Sequence, residues 1–162
     1  MLEANALVAR LRGDELRCRT GILFLPDLCL GREAEVAARL GIQHVDLAAY
    51  VLERVPVGGK FLNLSAGKIF DHLDDIANAH SGMDVVLIAN ADIAVMRLTS
   101  ADRAQLWESL LKDFPNRKKA LLLAIPEHKD GIRVLQEEPL RHTWEQAGRL
   151  GKWSMEHRGQ DR

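Results

Sequence analysis

The sequence predicts an α/β domain with a mostly parallel sheet. Three observations predict it: strand-like and helical segments alternate, the strand-like segments are continuous apolar runs, and the chain has 162 residues. Such alternation is typical of βαβ units. Continuous apolar runs are expected for strands that helices cover on both faces. We therefore expect one domain over 1–153 with a sheet of four to five strands, followed by a frayed tail over 154–162.

The first part of the chain is predicted to contain two strands and three helices. Leucine and alanine at helical spacing predict a helix over 2–17. An apolar run that ends in proline predicts a first strand over 21–26. A helix is expected over 31–40, where a glycine follows it. A second strand is expected over 42–47, and it leads directly into a short helix over 48–54.

The middle of the chain is predicted to add two strands and two helices. A serine cap predicts a helix over 65–80, because its hydroxyl oxygen accepts from a free amide of the first turn. The strongest apolar run predicts a third strand over 84–89. Thr99 resembles the start of a capping box and opens the next helix. A fourth strand is expected over 119–125.

The pattern is weaker beyond the fourth strand. A short fifth strand is expected over 132–135, after the turn at Asp130 and Gly131. A last helix is expected after Pro139, because proline is tolerated in the first helical turn.

Composition excludes several classes of protein. The net charge is −1, so no global basic field holds nucleic acid. No apolar run approaches the roughly 18 residues of a membrane helix, and the first residues lack the pattern of a signal peptide. The two cysteines, Cys18 and Cys29, indicate a reducing compartment rather than a disulfide scaffold. We expect a cytoplasmic protein that has no membrane partner.

Functional residues are expected where the strands end, because ligands of open α/β sheets bind at the carboxyl edge. After the first strand comes Gly31-Arg32-Glu33. It has the position of a phosphate-binding loop, GxxxxGK[ST], but lacks its chemistry. Arg32 can contact a phosphate, whereas Glu33 repels one and stands in place of the hydroxyl that binds Mg²⁺. A plain strand-to-helix connection is the favoured interpretation.

The third strand leads into a second candidate group. An NTPase places an acid at the end of this strand to orient Mg²⁺, and often a second acid that polarises water. The position of the first acid is occupied by Ala89. Asn90 can form hydrogen bonds but carries no charge, and Asp92 is at most a displaced remnant. Polar residues that order a loop are the favoured interpretation here as well.

No metal site and no catalytic residue are predicted. His72 and His80 are eight residues apart on one helix, about 12 Å of rise, which is too far to share an ion. Cys18 and Cys29 lack the spacing of zinc ligands. Lysines that follow glycines at 58–60 and 66–68 lack the second glycine that a phosphate-binding loop needs.

The C-terminal segment is mildly basic and contains two tryptophans. Stacking and charge together make nucleic-acid binding one interpretation, and packing of Trp144 onto the sheet is the other. The residues of the segment are Arg141, His142, Trp144, Arg149, Lys152, Trp153, His157 and Arg158.

Four segments carry a resemblance to a known family: HVDLAAYVLERV (44–55), DVVLIANADIAV (84–95), FPNRKKALLLAIPEHKDG (114–131) and EEPLRH (137–142). In this order they resemble the small BrxF-like P-loop proteins of BREX bacteriophage-exclusion systems. The resemblance implies a three-layer P-loop-NTPase-like domain of the ASCE or AAA-like class. The members of that family carry an intact Walker A motif and a Walker B acid, and this sequence has neither.

The resemblance therefore implies a degenerate member that has kept the fold and lost the ATPase activity. Gly31, Arg32, Asn90 and Asp92 would form a remnant nucleotide site with no cofactor or only weak binding of ATP and Mg²⁺. The chain would act as a scaffold or regulator beside a methyltransferase, an alkaline-phosphatase-like PglZ protein, or a helicase or ATPase.

Three alternatives remain open. The chain is a divergent NTPase that uses Arg32, Asn90 and Asp92, a nucleic-acid-binding module that uses its C-terminal segment, or an interaction module without a link to phage defence.

Overall fold

A computed structural model of the chain describes residues 1–54, 65–127 and 138–154. These residues form an α/β fold with one sheet of six strands, and every strand pair in it is parallel. The strands are β1 (Leu2–Glu3), β2 (Thr20–Leu25), β3 (Gln43–Asp46), β4 (Val85–Ala89), β5 (Ala120–Pro126) and β6 (Leu150–Lys152). The helices are α1 (Ala4–Arg12), α2 (Glu33–Leu40), α3 (Leu47–Glu53), α4 (Ala66–Asn78), α5 (Ala91–Met96), α6 (Ser100–Lys112) and α7 (Glu138–Gln146).

The α/β class and the parallel sheet are confirmed, but the expected count of four to five strands is wrong. The two strands that were not predicted, β1 and β6, have two and three residues and pair with each other. Elements this short show no periodicity. The expected fifth strand over 132–135 lies outside the described residues, as does the tail over 154–162 except Ser154.

Most helix boundaries follow from local chemistry. The hydroxyl oxygens of Ser65 and Thr99 accept hydrogen bonds from the third residue after them, each at 3.2 Å, so both predicted N-caps are confirmed. The helix expected over 2–17 is shorter, because α1 ends at Gly13. The helix α5 was not predicted, since its six residues follow β4 without a loop.

Helices cover the sheet on both faces. The strands lie in the order β1-β6-β2-β5-β4-β3. Parallel crossovers are right-handed, so the direction in which the chain moves across the sheet decides the face of each helix. The connections through α1 and α2 cross the sheet in the direction from β1 to β3. The connections through the other helices cross it in the opposite direction. The buried side chains form two clusters, one with the residues of α1 and α2 and one with those of the other helices. The fold therefore has three layers, with the sheet between two layers of helices.

This topology fixes where a crevice opens. Neighbouring strands β2 and β5 pair from Thr20 with Leu121 to Leu25 with Pro126. The chain leaves β2 toward the face of α2, but it leaves β5 toward the face of α7. Ligands of open α/β sheets bind at such a switch point, outside the carboxyl ends of the strands.

The buried Arg149 directly precedes β6 and links this strand to the start of β2 and the end of α6. Its guanidinium donates to the carbonyl oxygens of Thr20 at 2.6 Å, Leu111 at 2.8 Å and Leu110 at 3.1 Å, and also to the Thr20 hydroxyl. It lies 4.6 Å from the ring centroid of Trp144. Burial lowers the pKa of Arg149 to about 10, so the group is charged at neutral pH.

Within the described ranges, none of the helices has the length and hydrophobicity that a membrane span requires.

Replacement of Arg149 by methionine is expected to lower the free energy of unfolding by about 3 kcal/mol, because it removes the donors that Arg149 supplies to the buried carbonyl oxygens of Thr20 and Leu111. Urea denaturation at about pH 7 measures the loss. The matched control is Arg97→Met, since Arg97 is exposed and its loss should cost under about 0.5 kcal/mol. Equal costs for the two variants would show that the buried contacts of Arg149 contribute nothing specific.

Candidate functional site

The first part of the candidate site is the loop between β2 and α2. It begins at Pro26, forms a 3₁₀ turn over Asp27–Cys29, and passes through Gly31, whose φ of +79° lies in the left-handed region. Arg32 is the N-cap residue of α2 and is exposed to solvent. The structure thus places Gly31 and Arg32 together at the carboxyl edge, where the sequence predicted them.

The loop has no open cradle for a phosphate. Such a cradle needs backbone N–H groups that point toward the ligand. In this loop four consecutive amides already donate within the loop. They are Cys29 to the Pro26 carbonyl at 2.8 Å, Leu30 to the Asp27 carbonyl at 3.1 Å, Gly31 to Glu33 Oε1 at 3.2 Å and Arg32 to the Cys29 carbonyl at 2.9 Å.

Acidic side chains occupy the start of α2. The Glu33 carboxylate accepts from the Gly31 amide, and Glu35 also lies in the first turn. The start of a helix carries a partial positive charge that attracts anions. Here the chain's own carboxylates satisfy that preference, and they repel a phosphate that approaches the same end.

The second part of the candidate site lies at the ends of β3 and β4. Asn90 follows β4 with φ of 60° and ψ of 20°, a left-handed conformation that asparagine tolerates. Its Nδ2 donates to Asp46 Oδ2 at 2.9 Å. Asp46 Oδ1 accepts from the Ala49 amide at 3.1 Å and caps α3. The pair therefore ties two neighbouring strands together and starts a helix.

Sequence reasoning did not include Asp46 in the site, because the residue fell inside an expected strand. A usable signal was present: an aspartate directly before a helical run is typical of an N-cap. Asp92 lies half-buried in the first turn of α5, two residues after Asn90. Ala89, at the position of the Walker B acid, is 1% exposed.

The structure does not bring the two parts of the site into one cluster. The strand β5 lies between β2 and β4, which puts the two strand ends roughly 10 Å apart, or two strand spacings. Gly31 and Arg32 share one loop, and Asn90 and Asp92 share another turn.

Three residues of the C-terminal segment are buried in the fold. Trp144, Arg149 and Trp153 are at most 7% exposed, so neither tryptophan offers a face on which a base could stack. The guanidinium of Arg141 lies 5.3 Å from the ring centroid of Phe24 in β2, close to the crevice. His157 and Arg158 lie outside the described residues.

Within the described ranges, no three histidine, cysteine, aspartate or glutamate side chains are grouped to hold a metal ion. His72 makes an edge-to-face contact with Tyr50, with ring centroids 5.8 Å apart.

A scan against models of protein families matches none, and searches of the curated proteins and of the solved structures find no match.

Asn90→Asp is expected to lower the free energy of unfolding by about 1–2 kcal/mol near neutral pH, because it places a second carboxylate against Asp46. The variant pair binds a proton at higher pH in the folded than in the unfolded chain, so this loss should shrink as the pH falls toward about 4. Denaturation at several pH values, each compared with the natural chain, measures the effect.

The control is Asn90→Gly. It keeps the left-handed backbone and removes the hydrogen bond to Asp46 without adding a second carboxylate, so its cost should change less with pH than that of Asn90→Asp. The same pH profile for both variants would contradict a direct contact between positions 46 and 90.

Proposed function

We propose that this chain is a non-catalytic P-loop-like subunit that acts as a scaffold or regulator in a bacterial anti-phage defence complex of the BREX type. The fold, the closed loop at its carboxyl edge and the four resembling segments support the proposal. The observation that carries it is the β2–α2 loop, in which the amides from Cys29 to Arg32 already donate to groups of the loop and of Glu33.

The strand order supports a P-loop-like fold. Numbered from β2 as the first strand, the five core strands lie in the order 5-1-4-3-2. This differs from the order 3-2-1-4-5-6 of dinucleotide-binding folds and the order 2-1-3-4-5 of flavodoxin-like folds. One strand is inserted between the strand that precedes the Gly31 loop and the strand that precedes Asn90. The resemblance to the ASCE class implies an inserted strand at this place.

The chemistry of the edge supports a non-catalytic role. Phosphoryl transfer depends on positioned positive charge and a metal ion that neutralise the phosphates in the transition state. Arg32 is the only basic residue of the β2–α2 loop, and the neighbouring Glu33 carboxylate, held on the Gly31 amide, opposes its charge. Ala89 and Asn90 supply no acid for Mg²⁺ at the end of β4.

Exposed apolar side chains support a role in binding other proteins. Of the seven large apolar residues that are exposed in the described ranges, five lie in segments that follow β2, β3 and β4 at the carboxyl edge. Exposed apolar groups gathered in one region often mark a protein interface. These five are Leu28, Leu30, Leu52, Ile93 and Met96. The partners implied by the resemblance are a methyltransferase, a PglZ-like protein, and a helicase or ATPase.

Mg-ATP is expected to leave the thermal midpoint of the purified chain unchanged, and the chain should show no ATPase activity above a buffer control. A ligand present at about 100 times its Kd would add about 2.7 kcal/mol, which is several degrees for a domain of this size. Thermal unfolding at several millimolar Mg-ATP makes the measurement. A shift or a turnover that Arg32→Ala or Asp92→Asn abolishes would instead establish the divergent NTPase.

Co-expression with the products of neighbouring genes is expected to give a stable complex that contains a methyltransferase or a PglZ-like protein. Since the proposed scaffold does not depend on nucleotide, the complex should elute identically in size-exclusion chromatography with and without Mg-ATP. A complex that forms only with ATP would contradict a passive scaffold. Stable partners of other classes only would contradict the link to phage defence.

A further inference from the structure

A group of cations lies at the amino edge of the sheet, opposite the candidate site. Arg17 and Arg19 precede β2, and Arg117, Lys118 and Lys119 precede β5. We call these five residues the amino-edge cluster. The two segments are about a hundred residues apart in sequence, and each is short, so neither stands out in the composition of a chain with a net charge of −1.

The sheet brings the two segments together. Because β2 and β5 are parallel neighbours, their lead-in segments enter the sheet side by side. The backbones of Cys18 and Pro115 form an isolated antiparallel β-bridge, and Arg19 Nη2 donates to the Arg117 carbonyl at 2.5 Å. The Arg19 carbonyl in turn accepts from the Leu121 amide at 3.0 Å. These contacts hold the two lead-in segments side by side.

Only one member of the amino-edge cluster has a carboxylate partner among the described residues. Arg117 Nε lies 2.5 Å from Asp74 Oδ1. Lys118 Nζ contacts the ring of His80 at 2.8 Å. Lys119 is 5% exposed, and its Nζ donates to Gln43 Oε1 at 3.1 Å and to the Ser81 carbonyl. These last partners are neutral acceptors or an imidazole, so the charges of the lysines persist at this edge.

The surrounding ion pairs do not remove this excess of positive charge. Neighbouring cations each hold a carboxylate of their own: Arg10 with Glu15, Arg12 with Asp84, and Lys112 with Glu108. Arg149, behind the cluster, donates to carbonyl and hydroxyl oxygens. Three exposed acids remain nearby: Asp14 and Asp113 follow α1 and α6, and Asp75 lies in the last turn of α4. The four cluster members that have no carboxylate partner among the described residues, together with Arg149, outnumber these three acids.

The surroundings of the amino-edge cluster favour a nucleic-acid backbone over a protein as its partner. Protein interfaces are built around apolar and aromatic anchors, and most exposed large apolar residues of the described ranges lie at the opposite edge. Phe114, which lies under the Arg117 guanidinium, is 1% exposed. Because this ring is buried, it offers no platform on which the bases of a single strand could stack.

We propose that the amino edge of the sheet, through Arg17, Arg19, Lys118 and the charges behind them, binds the phosphate backbone of duplex DNA without regard to sequence. Duplex DNA presents one negative charge per roughly 1.7 Å of its axis, about twice the density that either of its strands contributes alone. The binding is weak and depends strongly on salt. This surface is separate from the carboxyl edge, so both edges can be occupied at once.

The test is fluorescence anisotropy with a labelled duplex of random sequence, titrated with the full-length chain at increasing salt. With about three phosphate contacts, log K should fall with a slope near −2.7 against log salt, or about fortyfold between 50 and 200 mM. The double variant R17E/K118E changes two exposed side chains and should weaken binding at least tenfold and lower the slope by about 2. Its thermal midpoint should stay unchanged.

The control is K68E/R97E, which changes the net charge equally at two exposed positions away from the amino edge. It should weaken binding less than about threefold. R17Q/K118Q removes the charges without reversal and should give an intermediate loss if the reversed variant proves unstable. The anisotropy and thermal measurements use neither nucleotide nor a protein partner. A result that overturns the proposed scaffold function would therefore leave this test of DNA binding unaffected.

Several outcomes would overturn the proposal. Equal losses in both double variants would show that only net charge matters. Binding that does not change with salt, or no binding at about 50 mM salt, would exclude a phosphate contact. Tighter binding of a single strand of the same length would indicate stacking elsewhere, and preference for an acidic peptide over the duplex would indicate a protein partner.

Discussion

The buried guanidinium of Arg149 is the interaction on which the rest of the sheet depends. It lies between the start of β2, the end of α6 and the turn that follows α7, and it holds them through the carbonyl oxygens of Thr20, Leu110 and Leu111. The end of a helix carries a partial negative charge, so α6 takes the place of the carboxylate that a buried cation usually requires. The face of Trp144 covers the other side.

The short strand β6 follows from this arrangement. Three residues of strand are marginal by themselves. Arg149 immediately precedes them, and its carbonyl accepts from the Ile22 amide at 2.9 Å. With β6 fixed against β2, the first strand β1 gains a partner, and β2 becomes an internal strand. The strand β2, which borders the crevice, is therefore paired on both sides.

The fold could be predicted where the pattern was long, and the prediction was incomplete where a contact between distant residues decides. Continuous apolar runs predict β2, β4 and β5, because helices cover both faces of each strand. No local pattern predicts β1 and β6, since each is stable only beside its partner. Among the site residues, Gly31 and Arg32 were placed correctly on their loop. The hydrogen bond between Asn90 and Asp46 was not predictable, because it joins positions 44 residues apart. Arg149 was grouped with surface cations, since the carbonyl oxygens that hold it come from elsewhere in the chain.

The carboxylate of Glu33 has a consequence for how the chain responds to its surroundings. In a nucleotide-binding loop the anion is a separate molecule, and the loop changes as that molecule arrives and leaves. Here the anion that meets the Gly31 amide is tethered two residues away. Its local concentration is independent of the energy state of the cell. A phosphate that approaches the Gly31 amide must first displace this carboxylate, whatever the nucleotide level around the chain.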